Sequence, residues 1–187
     1  VTRRSMQTDM ALVEMAQTVK VVLDYSQEVQ SHATGFARST GVVANKPDHA
    51  GRYNVKLNYH EFVGENSEAV GSEIAVAQYM CVKNFIPTVD TFRDEPDLEV
   101  GNIGFEIKWT KYINGHLIIH RDYPRLDDIA VLVVGKSPVY EIAGWMPVKW
   151  CKQAKYLNAM DGNYWISQRD LFEIDTLRKS IYGITEN

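Results

Sequence analysis

The chain has 187 residues, 45% of them hydrophobic and 24% charged, the composition of one globular domain with enough apolar material for a core. Its 20 Lys and Arg against 24 Asp and Glu leave a net charge of −4, which argues against a globally basic nucleic-acid coat or a polybasic membrane binder. Cys81 and Cys151 lack C-x-x-C spacing, and the longest apolar run spans only 129–134, so a zinc ribbon, a disulfide framework and a membrane span are not expected, and the default compartment is a reducing cytoplasm.

From Met6 to about Gln30 there is no Gly or Pro, and Leu12, Met15, Ala16, Val19, Val22 and Leu23 recur at helical spacing, which predicts a long amphipathic helix stopped by HATG at 32–35. Between 41 and 63, GVVAN and RYNVKLN flank KPDHAG, and Tyr53, Val55 and Leu57 alternate with polar residues, which predicts a hairpin. A second helix is expected from Ser67 to about Asn84, with Val70, Ile74, Ala77 and Cys81 as its apolar stripe and Pro87 beyond its end. The texture then turns to strand: PDLEV, GFEIKWTKY, HLIIH, DIAVLVV and VYEIAGWM read as a meander with Gly, Asn, Asp or Pro at the joints. VKWCKQAKYL reads as a short helix and YWISQRDLFEI as a closing strand. Repeats and low-complexity linkers are absent, so 1–187 is expected to be a single α/β or α+β domain.

Residues 95–110, EPDLEVGNIGFEIKWT, carry the chemistry. Alternation along a strand puts Glu106 and Lys108 on one face and Phe105, Ile107 and Trp109 on the other. A turn at GNIG would fold PDLEV back beside FEIKW and bring Asp97 next to Glu106. Carboxylates so placed repel each other unless a cation lies between them, and hard oxygen ligands suit Mg²⁺ or Mn²⁺. Such a site favours phosphodiester cleavage, with Lys108 orienting the nucleophile or the scissile phosphate.

Asp97 followed by Glu106-x-Lys108 on an apolar-flanked strand, with the dipeptide Pro96-Asp97 and an acidic helix upstream, resembles the PD-(D/E)XK nuclease superfamily, the restriction-endonuclease-like fold. The resemblance implies a mixed central sheet flanked by helices. Its core would run α-β-β-β-α-β over 65–187: the Glu73 helix, the strand near Asp97, the Glu106/Lys108 strand, a third strand, the helix near 148–157 and the strand near Tyr164. Residues 1–64 would form a helix-and-hairpin elaboration. The activity implied is Mg²⁺- or Mn²⁺-dependent hydrolysis of DNA, with Asp97, Glu106 and Glu73 holding the metal and Lys108 as the catalytic cation. The motif D-x₈-E-x-K is short, and its weight comes from the helix before it and the strands around it.

Each of these residues also has a plainer reading. Glu106 and Lys108 could be a solvated strand face with a weak cross-strand pair, Glu73 a helix-surface acid with Glu65 and Glu68 as substitutes, and Glu99 a reserve ligand for Asp97. His116 and His120 sit at an even spacing in HLIIHRDYPR without a third zinc ligand; under the nuclease reading His120 either supports the site residues from behind or contacts phosphate, and Lys111 and Arg121 are further substrate-binding candidates. Lys149, Lys152 and Lys155 predict a basic helical ridge that either contacts a phosphate backbone or is simply solvated. Gln168, with Arg169, completes the substrate-binding candidates through the resemblance. A thiol nucleophile lacks a His partner, and a phosphate loop is missing. Alternatives left open are a non-catalytic binding or assembly module of the same fold, a hydrolase acting on RNA or another phosphorylated substrate, and a homodimer or larger complex built on the N-terminal helix.

Overall fold

A computed structural model of the chain describes residues 18–45, 57–90 and 94–183. They form a mixed α/β fold whose five-stranded sheet is flanked by helices. The strands are β1 (Val19–Val22), β2 (Leu98–Val100), β3 (Ile103–Thr110), β5 (Ile129–Lys136) and β6 (Val139–Pro147), in the order β1-β6-β5-β3-β2. Neighbours run antiparallel except β3 and β5, which are parallel, with Glu106 opposite Ala130 and Lys108 opposite Leu132. This departs from the expected meander. β4 (Leu117–Ile119) leaves the sheet between β3 and β5 and pairs with β7 (Tyr164–Ile166) in a separate two-stranded ribbon. The strand near Tyr164 therefore belongs to this ribbon and not to the central sheet.

Both faces of the sheet are apolar, as a doubly covered sheet requires. Phe105, Ile107, Val131, Val133, Tyr140 and Ile142 pack against Val70, Ile74 and Ala77 of α2 (Tyr59–Tyr79) and Ile174 and Leu177 of α4 (Ile174–Tyr182). On the opposite face Ala130, Leu132, Ala143 and Met146 meet Leu117, Ile119 and Ile166 of the ribbon, together with Val148, Cys151 and Tyr156. A fully buried side chain such as Phe105 or Ile142 contributes about 1.5–3 kcal/mol by leaving water.

The N-terminal third differs most from expectation. Val19–Val22, placed by periodicity in a helix, is strand β1: Val21 is buried while Val22 is exposed, and the strand lies along β6. The helix α1 runs instead over Tyr25–Asn45 and passes straight through HATG. Asp24 starts it, accepting from the Gln27 amide (2.9 Å) while the Gln27 side chain accepts from the Asp24 amide (2.9 Å), a reciprocal cap. Gly35 serves close packing and not termination. A Cβ there would lie 2.5 Å from the backbone of Ser67, and at this crossing Ser31 Oγ donates to Ser67 O at 2.6 Å. GVVAN forms the end of α1 and not a hairpin arm; residues 6–17 of the expected helix and 46–56 of the expected hairpin lie outside the described residues.

Helix α2 begins at Tyr59, eight residues ahead of the expected Ser67. Asn58 Oδ1 accepts from the Glu61 amide and Glu61 Oε2 from the Asn58 amide, each at 3.0 Å, which satisfies two amides of the first turn. The helix thus runs across residue 64, and β1 joins the central sheet. The expected helix near 148–157 is broken into α3 (Val148–Cys151) and a 3-10 turn at Ala154–Tyr156, so Lys149, Lys152 and Lys155 do not form one helical ridge. Among the described residues no helix is long and apolar enough to cross a membrane.

Candidate active site

The β2–β3 hairpin brings Asp97 to Glu106. Its turn is made by Gly101, in the left-handed region at φ 65, and Asn102. The Asp97 amide, one residue ahead of Leu98 at the start of β2, donates to Phe105 O (2.9 Å). Beyond that point β3 has no strand partner on this edge among the described residues, and Asp97 Oδ2 accepts from the Ile107 amide at 2.8 Å. The carboxylate is thereby fixed to the backbone of the strand that carries Glu106 and Lys108.

Glu106 is buried, 7% exposed. Its Oε1 is paired with Lys108 Nζ, and its Oε2 lies 3.3 Å from Arg125 Nη2. Asp97 is held away from its ordinary acidity: burial, then the charges of Glu106 and Glu73, raise its carboxyl to about 7, with Lys108 and the Ile107 amide opposing. Three acidic groups therefore converge in one electrostatic environment, with Asp97 its least compensated member.

Glu73 occupies the core side of α2, 4% exposed, and its carboxylate is gripped by Arg38 of α1, Nη1 to Oε1 at 2.6 Å and Nη2 to Oε2 at 2.9 Å. Arg38 Nε donates further to Thr88 O at 2.8 Å. Glu73 reaches Asp97 through its field, while both its oxygens are committed to a guanidinium.

Arg125 forms a second centre. Its Nε donates to Asp128 Oδ2 (2.7 Å), its Nη1 to Asp94 Oδ1 (3.0 Å), and its Nη2 to the Tyr123 hydroxyl (2.6 Å) as well as to Glu106. Tyr123 Oη donates to Asp128 Oδ2 at 2.6 Å, and burial, followed by the charges around it, pushes its phenol upward and keeps it a donor. Gly104 makes room for this centre, because a Cβ there would collide with Asp128 Oδ1 and crowd Pro96.

The substrate-binding candidates are dispersed. Lys111 is exposed, 3.6 Å from Glu65 Oε1 and over the Tyr112 ring. His120 and Arg121 are exposed at the end of β4, and the Arg121 amide donates to Asn163 Oδ1. Lys149 is exposed on α3. Lys152 turns inward, its Nζ donating to Arg121 O (2.8 Å) and Tyr123 O (2.7 Å), so its ammonium braces the Arg125 loop. Gln168 donates to Ile113 O and Gly115 O and ties down the β3–β4 connection.

Sequence reasoning missed Arg38 as the partner of Glu73, and Tyr123 and Asp128 as the frame around Arg125. The density of charge in RDYPRLDD was the available signal for that frame; Arg38, in a helix of ordinary composition, offered none.

As for a metal, Asp97 and Glu106 supply oxygen donors of the right hardness, and the acidic surroundings that raise the Asp97 carboxyl fit a divalent cation. Glu73 fits as a source of field and not as a ligand, because one buried guanidinium grips both its oxygens, whereas the oxygens of Glu106 are shared between two separate side chains, one of them the part-exposed Lys108. Among the described residues no three His, Cys, Asp or Glu side chains are grouped to hold a metal ion, so a cation here would keep water or phosphate oxygens in its remaining positions, as Mg²⁺ does. Comparison with protein-family models, with curated proteins and with solved structures finds no match for the chain.

Proposed function

We propose that the chain is a metal-dependent nuclease that hydrolyses DNA phosphodiester bonds on a restriction-endonuclease-like core. The observation that carries this reading is the meeting of Asp97 and Glu106 on the β2–β3 hairpin, with the Asp97 carboxyl raised by burial and then by its acidic neighbours, and Lys108 beside Glu106. Asp97 and Glu106 would hold Mg²⁺ or Mn²⁺. When bound, the cation supplies a water of lowered pKa and neutralises charge on the scissile phosphate. The backbone amide of Ile107 keeps Asp97 aimed, and Lys108, 30% exposed at its side chain, reaches from Glu106 toward solvent, where its ammonium can stabilise the attacked phosphate. Glu73 acts through its charge.

The test is incubation of the purified protein with linear and circular DNA, with and without Mg²⁺ or Mn²⁺, alongside Asp97→Ala and Lys108→Ala. Metal-dependent cleavage lost in both variants supports the assignment. Equal degradation by all three proteins removes it.

A second reading, a binding or assembly module of the same fold, draws on the charge pairing within the protein: Glu73 on Arg38, Glu106 on Lys108 and Arg125, Asp128 on Arg125. It gains if no form of the protein cleaves DNA or RNA while wild type still retains DNA in a mobility-shift assay.

A further inference from the structure

Among the described residues the Arg125 guanidinium meets four side chains, of which Glu106 alone is a candidate metal-binding residue. Asp128 (2.7 Å), Asp94 (3.0 Å) and the Tyr123 hydroxyl (2.6 Å) hold the guanidinium from three directions, while its contact to Glu106 is the longest, at 3.3 Å. Tyr123 places its ring 4.9 Å from the guanidinium carbon, and Lys152 clamps the carbonyls of Arg121 and Tyr123 behind it. The Arg125 charge therefore cannot swing away when Glu106 is engaged elsewhere. Lys108 differs, because among the described residues Glu106 is its one side-chain ion-pair partner, and its side chain is 30% exposed. A divalent cation arriving at Glu106 meets one cation that can yield and one that is fixed.

We infer that Arg125 is a built-in counterion that competes with a divalent cation for Glu106 and holds the free protein in a state of weakened metal affinity. The inference rests on the proposed metal site and not on what that site cleaves. The geometry gives it a sign that a purely structural role lacks. A bracing residue, once removed, loosens the site and weakens metal binding; a competing counterion, once removed, strengthens it. One unit charge about 6 Å from a divalent ion in a water-like dielectric corresponds to a change on the order of tenfold in affinity.

The experiment is calorimetric titration of the full chain with Mn²⁺, free of DNA. Arg125→Ala is the first variant, but it leaves Asp128, 8% exposed, without its cation. Arg125→Gln removes the same charge while its side-chain amide can still donate to Asp128 and keep the frame hydrogen-bonded. Tighter Mn²⁺ binding than wild type, by about tenfold, in whichever variant melts with wild-type cooperativity is the expected result. Unchanged or weaker binding overturns the inference. If wild type cleaves DNA and neither variant binds Mn²⁺ more tightly, the inference alone falls; if no form binds Mn²⁺ at millimolar concentration, the metal site falls with it.

Discussion

Replacing Arg38 by Met tests how α1 is fastened to the rest of the fold. The guanidinium is 8% exposed and Glu73 4%, so the substitution strands a carboxylate in the core with no water to receive it. Two charge-assisted bonds of 2.6 and 2.9 Å disappear, and Thr88 O loses its 2.8 Å donor. Breaking a buried pair by removing one partner costs about 3–5 kcal/mol, whereas replacing both partners with apolar groups of similar volume is often neutral. Against the roughly 5–15 kcal/mol that holds a typical domain together, the single variant should be severely weakened. Urea unfolding of wild type, Arg38→Met, Glu73→Leu and the double variant completes the thermodynamic cycle. Each single change is expected to lose about 3 kcal/mol or more, and the double change about 1 kcal/mol or less. A single variant losing under about 1 kcal/mol, or a double variant losing the sum of the singles, would refute the picture of a desolvated, mutually dependent pair.

Further outcomes follow from named contacts. The Asp97 carboxyl is raised to about 7 in the fold, so the folded state holds a proton that the unfolded chain has released. The resulting stability is fully present below the unfolded carboxyl's pKa, near 3.9, and is lost as pH rises toward and through 7. Asp97→Asn should therefore be more stable than wild type above pH 7, with the gap closing toward acid; a gap that widens on acidification contradicts the sign. Gly71→Ala drives a methyl into the hydroxyl of the fully buried Tyr140 and should cost about 1–3 kcal/mol in thermal or urea unfolding; a neutral result would mean that the α2–β6 approach is looser than described. Asn58→Ala removes the acceptor for the Glu61 amide and should lower stability by about 1 kcal/mol, whereas Ser67→Ala, if Ser67 were the cap, would mimic it at the helix start. Hydrogen exchange at the Glu61 amide separates the two.

The strands after residue 97 were readable because their signals are local. Phe105, Ile107 and Trp109 alternate with Glu106 and Lys108 in sequence, and the observed register keeps that alternation, with Glu106 and Lys108 over Ala130 and Leu132. What alternation cannot carry is partner choice. Nothing in DIAVLVV distinguishes a parallel neighbour from an antiparallel one, and nothing in HLIIH says that its buried Leu117 and Ile119 will answer Ile166 in a separate ribbon. The N-terminal misreading has a different origin. Val19, Val22 and Leu23 satisfy a helical period and a β-branched strand equally well, and pairing with β6, far along the chain, decides between them. Gly35 looked like a stop because glycine weakens an isolated helix by about 1 kcal/mol; contact with Ser67 supplies the reason for keeping it. In the candidate site, Asp97, Glu106 and Lys108 were legible because they lie on one hairpin. Arg38, Tyr123 and Asp128 were not, because each reaches its partner through a tertiary packing that spacing alone does not encode.

The pairing of β1 with β6 also bears on the order of folding. Val19 lies beside Ile142 and Val22 beside Val139, while β5 and β6 are joined by a tight hairpin at Ser137 and Pro138. The hairpin can close within a handful of residues, but β1 must wait until β6 has been made, since closing so long a loop carries an entropic penalty that only a preformed edge offsets. During synthesis β1 therefore stays unpaired until β6 emerges and offers its outer edge. β1, followed two residues later by α1, is the element that seals that edge.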